Sequence, residues 1–223
     1  LYTLNYSFLL PILFIFIYLK KIRFTSVAIV IFAYLVTFFL LTFFYVESKA
    51  TFGKKGYYFI YTFLEYSAFA FLLWTIIINK KFRKLINVLS ILFIFFLVFF
   101  YSTIQIKRMD SVPIGIESIL IMVYIIYYFY NYFKTINNEN IYDNYSFWIV
   151  IGILIYICFT FFFNILGNSL DHSDFSKYYY YSYFGDILKN IFFSIAIIFF
   201  AKGSNKAKFR ESINDNIPYL DMI

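Results

Sequence analysis

The sequence predicts an all-α polytopic transmembrane bundle of about seven spans, and three observations carry that expectation. Of 223 residues, 63% are hydrophobic and 14% charged, with a mean hydropathy of +0.77; a domain facing water on all sides needs more polar surface than this. The apolar residues fall in continuous runs of about 20, the length a helix needs to cross a hydrocarbon core of roughly 30 Å. Those runs do not alternate in segments of about ten, as the strands of a membrane β-barrel would.

The spans are read as 2–19, 25–46, 57–78, 85–104, 112–133, 146–166 and 180–201. Backbone amides in lipid must be satisfied within their own segment, so each run is expected to be helical despite its β-branched and aromatic residues. The first run has its basic residues, Lys20, Lys21 and Arg23, behind it. That arrangement predicts an uncleaved span with its N-terminus outside, not a signal peptide. The third carries Glu65 and ends before the cluster Lys80, Lys81, Arg83 and Lys84. The fifth opens at Pro113, where a helix start tolerates proline, and carries Glu117. The sixth holds Cys158, the single cysteine, which excludes an intrachain disulfide. The seventh follows the aromatic run Tyr178 to Tyr181, Tyr183 and Phe184, rings suited to a membrane–water interface. Residues 1–201 thus form one seven-helix domain, and 202–223 a polar cytoplasmic tail whose leading basic residues suit anionic headgroups. No internal repeat is visible, so the inverted-repeat plan of many secondary transporters has no support.

The basic residues orient the chain. The net charge of +7 would suggest nucleic acid for a soluble protein, but here the charges cluster between apolar runs and read as topological signals. With the N-terminus outside, the inner side takes Lys20, Lys21, Arg23, Lys80, Lys81, Arg83, Lys84, Lys134, Lys202, Lys206, Lys208 and Arg210. The outer side takes half as many: Lys49, Lys54, Lys55, Lys107, Arg108 and Lys177. This bias predicts an outside N-terminus and an inside C-terminus.

Ionisable residues within spans carry the functional information, because burying one near the bilayer centre costs about 2.5–3.5 kcal/mol even on lenient insertion scales. Glu65, Glu117, Asp186 and Lys189 lie in spans three, five and seven, which all run from outside to inside. At a rise of 1.5 Å per residue they share a depth of roughly 7–14 Å below the outer surface. Asp186 and Lys189, three apart, share a helix face. These residues, with Tyr61 one turn before Glu65, predict a polar pocket in the outer half of the bundle, open to the outside, with Lys189 paired to Glu65 or Glu117. Ser118 and Asn164 read as packing contacts between helices. A retinal-type lysine is not expected, since Asp186 precedes Lys189 by three residues where a microbial rhodopsin has an acid four before. His172, the single histidine, with Asp171 and Asp174 in loop 167–177 is too sparse a donor set for a metal. No phosphate-binding loop, nucleophile elbow or zinc-protease helix is present. Neither an enzyme, a cofactor nor a metal is therefore expected.

Tyr61-Thr62-Phe63-Leu64-Glu65, Ile116-Glu117-Ser118, and Phe147-Trp148 followed by Gly152 and Tyr156 together resemble a group of uncharacterised seven-span membrane proteins of AT-rich Gram-negative bacteria. The resemblance covers most of spans three to seven. It implies an inner-membrane location and places Glu65 and Glu117 in the group's pattern. That group often has a histidine-containing polar step in the last span, where this chain has Lys189-Asn190. It brings no activity.

The functional expectation is a receptor-like sensory or signalling module that relays an external input through its cytoplasmic face to a protein partner. The alternatives are a transporter or channel using the buried charges as a path, and an assembly subunit pairing them with another membrane protein. The lipid bilayer is the one partner expected on composition alone; nucleic acid is not.

Overall fold

A computed structural model describes residues 2–18, 26–104, 110–135, 141–166 and 183–202. Among them are seven α-helices: α1 (Tyr2–Ile17), α2 (Ser26–Phe43), α3 (Tyr45–Ile76), α4 (Lys80–Thr103), α5 (Ser111–Thr135), α6 (Tyr145–Leu166) and α7 (Tyr183–Lys202). A 3-10 turn, Ile141–Asp143, leads into α6. Four segments are long and apolar enough to cross a membrane, namely Ala50–Ile76 of α3 with α4, Ser111–Lys134 of α5, and α7; the apolar stretches of α1, α2 and α6 are shorter. Loop 167–177, Tyr178 to Tyr181, the side chain of Asn164 and the tail beyond Lys202 lie outside the described residues.

The sequence reading needs one correction at the second and third helices. A loop was expected over residues 47–56, but α3 runs back to Tyr45, leaving a one-residue break at Phe44. The helix accommodates the excess by a kink at Gly53, whose φ of 68° lies in the left-handed region that only glycine enters at little cost. Lys54 and Lys55 are therefore helical, not loop residues.

The outward faces are apolar. On α4, Ile86, Phe93, Leu97 and Phe100 are buried while Val88, Ile91, Leu92, Phe95, Val98 and Phe99 are exposed. A water-facing helix puts polar residues on that outer surface; α4 presents rings and branched chains that match lipid. The α3–α4 connection is only Ile77 to Asn79, so these helices run antiparallel as neighbours. Asn79 caps α4 by accepting from the Lys81 amide at 2.9 Å. Arg83 turns back onto the end of α3, donating to the Ile77 and Thr75 carbonyls at 2.6 and 3.1 Å and covering Trp74. It fills backbone acceptors that the helix end leaves open.

α3 is the hub, packed against α2, α4, α5 and α6. α7 closes the other side: Asn190 donates to Ser7 of α1 at 2.8 Å, Phe193 meets Tyr34 of α2, and Phe192 and Phe199 stack on Trp148 of α6. Gly185 permits the tightest approach, because a Cβ there would lie 2.8 Å from Cβ of Phe159 on α6. Small residues at such crossings let membrane helices pack closely. The polar side chains gather inside this frame, on the faces that α2, α3, α5, α6 and α7 turn toward one another.

Candidate functional site

Lys189 is the centre of a buried ionic network. Its side chain is wholly buried, with Nζ donating to Asp186 Oδ1 at 2.6 Å and to the Tyr34 hydroxyl at 2.7 Å. The ammonium also lies 3.8 Å from the ring centroid of Tyr156, with the rings of Tyr34, Phe8 and Phe69 between 5.2 and 5.8 Å. Desolvated cation–π contacts of this kind contribute about 2 kcal/mol. The Tyr156 hydroxyl in turn donates to Glu65 Oε1 at 2.7 Å. One tyrosine thus takes the cation on its face and the carboxylate at its hydroxyl, joining α7 to α3 through α6.

This arrangement corrects the predicted pairing. Lys189 forms its ion pair along its own helix, with Asp186, and not across the bundle with Glu65 or Glu117. The reason is reach: three residues of helical rise bring Asp186 to the amine directly, whereas Glu65 is held at the Tyr156 hydroxyl and meets the lysine only through longer-range electrostatic attraction. Tyr61 lies beside the network, half-buried, with its ring against Phe38 and Tyr57.

Glu117 makes no hydrogen bond to this network, although Glu65 lies within electrostatic range of it. It is 4% exposed, and neither carboxyl oxygen has a hydrogen-bond partner. It lies on the α5 face that also carries Asp110 and Tyr124, seven residues before and after; seven residues are nearly two turns. Both of those residues are bonded to α3. Asp110 accepts from Thr62 at 3.1 Å and from Tyr101 of α4, and the Tyr124 hydroxyl meets that of Tyr66 at 3.2 Å. Tyr66 also reaches Ser90 of α4 at 2.9 Å. The orphan carboxyl is therefore bracketed by two polar crosslinks between α3 and α5. Asp110, just ahead of α5, keeps one oxygen unbonded, and burial pushes its carboxyl above the ordinary range while the hydrogen bonds from Tyr101 and Thr62 oppose that rise.

All five predicted residues fall in this interior, but in two groups: Lys189, Asp186 and Glu65 with Tyr61 alongside, and Glu117 with Asp110. Sequence reading missed Asp110, Tyr34, Thr62 and Tyr101. A signal for Asp110 was present, because its seven-residue spacing from Glu117 puts two acids on one helix face. Tyr34 carried none, being one tyrosine among 24.

Glu65, Glu117, Asp186 and Lys189 are each at 8% exposure or less. A separate small cavity between α1, α2, α6 and α7, lined by Ile15, Val27, Ile31, Ile149 and Ala196, offers van der Waals contact and little to orient a polar ligand. Among the described residues no three His, Cys, Asp or Glu side chains are grouped to hold a metal ion. Comparison with known proteins finds no matching family model, no matching curated protein and no matching solved structure.

Proposed function

We propose that this chain is a seven-span protein of the cytoplasmic membrane, N-terminus outside and C-terminus inside, acting as a receptor-like sensory module. Its input would be read at the buried ionic network and relayed to a protein partner at the cytoplasmic face. The observation that carries this reading is the convergence of four helices on one lysine: α7 supplies Lys189 and Asp186, α2 Tyr34, α6 Tyr156, and α3 Glu65 through that tyrosine. A buried charge network has few arrangements in which every member is satisfied, so an input that unseats one member favours a different packing of the helices. A ligand shifts such an equilibrium only by its differential affinity for the two states.

Transport is the second reading, favoured by the acids. Among the described residues, buried carboxyls at Asp110, Glu117, Glu65 and Asp186 outnumber the one buried lysine, and Asp110 lies about two helical turns from Glu117 along α5. The two readings separate in proteoliposomes containing the purified chain. A receptor leaves an imposed ion gradient intact and changes Trp74 or Trp148 fluorescence when a ligand binds. Ligand-independent ion flux that disappears in Glu117→Gln would instead replace the receptor reading with transport.

A further inference from the structure

We propose that Glu117 is an intramembrane proton-binding site, holding its proton as a carboxylic acid and exchanging it with the aqueous phase by way of Asp110. The inference needs the bundle to lie in a membrane; it does not depend on the receptor-like role.

The case begins with what Glu117 lacks. Both of its oxygens are buried without a hydrogen-bond donor, and the one lysine buried among the described residues is engaged by Asp186 and Tyr34. A carboxylate in that position would have lost its water and gained neither a counter-ion nor a donor, and a buried group so placed neutralises. The groups that face it compound this. Within electrostatic range are Glu65 and Tyr66 of α3, Asp110 at the start of α5, Tyr34 of α2 and Tyr101 of α4, while Tyr156 of α6 is committed to Glu65. Its neighbours are acids and phenols, which supply no positive charge. Glu65 differs, for it receives the Tyr156 hydrogen bond and lies within electrostatic range of Lys189.

Asp110 supplies the route. It sits one heptad toward the α5 N-terminus on the same face, about 10 Å away along the helix, and is itself buried at 1% exposure, so it acts as a relay at the end of the bundle and not as an open mouth. Its Oδ1 is unbonded while Oδ2 is held by Tyr101 and Thr62. The carboxyl is thereby fixed in place with one oxygen available to accept a proton and release it. On the far side of Glu117, the Tyr124, Tyr66 and Ser90 hydroxyls are already bonded to one another. They form the inner limit of the site.

Infrared difference spectroscopy of the full chain in lipid nanodiscs, recorded in H2O and D2O at neutral pH with no ligand added, tests this directly. The expected result is a carboxylic-acid C=O band that shifts on deuteration, moves when glutamate alone is labelled with carboxyl 13C, and is lost in Glu117→Gln but kept in Glu65→Gln. The glutamate label needs no substitution, so a variant that fails to fold does not block the test. Asp110→Asn should leave the band in place and slow its exchange into D2O. A spectrum with no such band, a band insensitive to the glutamate label, or a band lost in Glu65→Gln instead of Glu117→Gln overturns the site. Exchange unchanged in Asp110→Asn overturns the route. Since no ligand is present, any of these outcomes leaves the receptor-like reading standing.

Discussion

Removing one member of the Lys189–Asp186 pair leaves the other charge buried without its partner, and such truncations cost about 3–5 kcal/mol, whereas replacing both by apolar groups is often neutral. Asp186→Ala and Lys189→Met should each lower the thermal stability of the detergent-solubilised protein strongly, and the double variant should recover most of the loss. Additive losses would mean that the two side chains do not act as a pair. Asp110 allows a pH test. Its carboxyl is raised by burial above its ordinary value of 3.8, so its contribution to stability is complete below the unfolded-chain value and is lost as pH rises through the folded one. Asp110→Asn keeps an oxygen to accept from Tyr101 and Thr62 and cannot ionise. The stability of the wild-type chain relative to this variant should therefore fall as pH is raised above about 4, as read from unfolding midpoints. A difference that stays flat over that rise contradicts the burial seen here.

Two glycines set the geometry of whole helices. Gly185→Ala would force a methyl group into the 2.8 Å gap to Phe159 and separate α7 from α6, at a cost typical of overpacking, about 1–3 kcal/mol. Because α7 carries both Asp186 and Lys189, that shift should also disturb the Tyr156 contact and alter tyrosine environments in the near-ultraviolet spectrum. At Gly53 a Cβ would meet nothing, so Gly53→Ala tests conformation alone. With ψ at 167°, this positive-φ backbone is nearly restricted to glycine and costs another residue about 1–3 kcal/mol. The loss should appear as straightening or fraying of the first turns of α3, detected as faster amide exchange over residues 45–53 with the rest of α3 unchanged. Equal exchange in both proteins would mean that the kink does not require glycine.

At the scale of the molecule, the outward-facing rings of α4 and the four spanning-length segments leave the orientation to be tested. A reporter fused after Ile223 should be active in the cytoplasm and silent outside the membrane; the reverse pattern would put the α5 N-terminus, and Asp110 with it, on the cytoplasmic side. The connectivity gives this measurement leverage, since the site is assembled from α2, α3, α5, α6 and α7 and its direction follows from a single fact about topology.

Composition and run length by themselves determined that the chain is helical and apolar on a membrane scale, because a helix in lipid must satisfy its own backbone and the length it needs is a count of residues. They also singled out Glu65, Glu117, Asp186 and Lys189, since an ionisable residue in an apolar run stands out whatever it touches. Only the tertiary structure decided who touches whom. Helix rotation brought Tyr34 and the Tyr156 ring to Lys189, and it left Glu117 with no donor at all. It also paired Asp110 with a threonine 48 positions earlier. Those choices depend on how close two helices can pass, set at Gly185 and at Gly152 on the facing side of α6, and a hydrophobic pattern that is apolar nearly all round carries no record of which face turns inward.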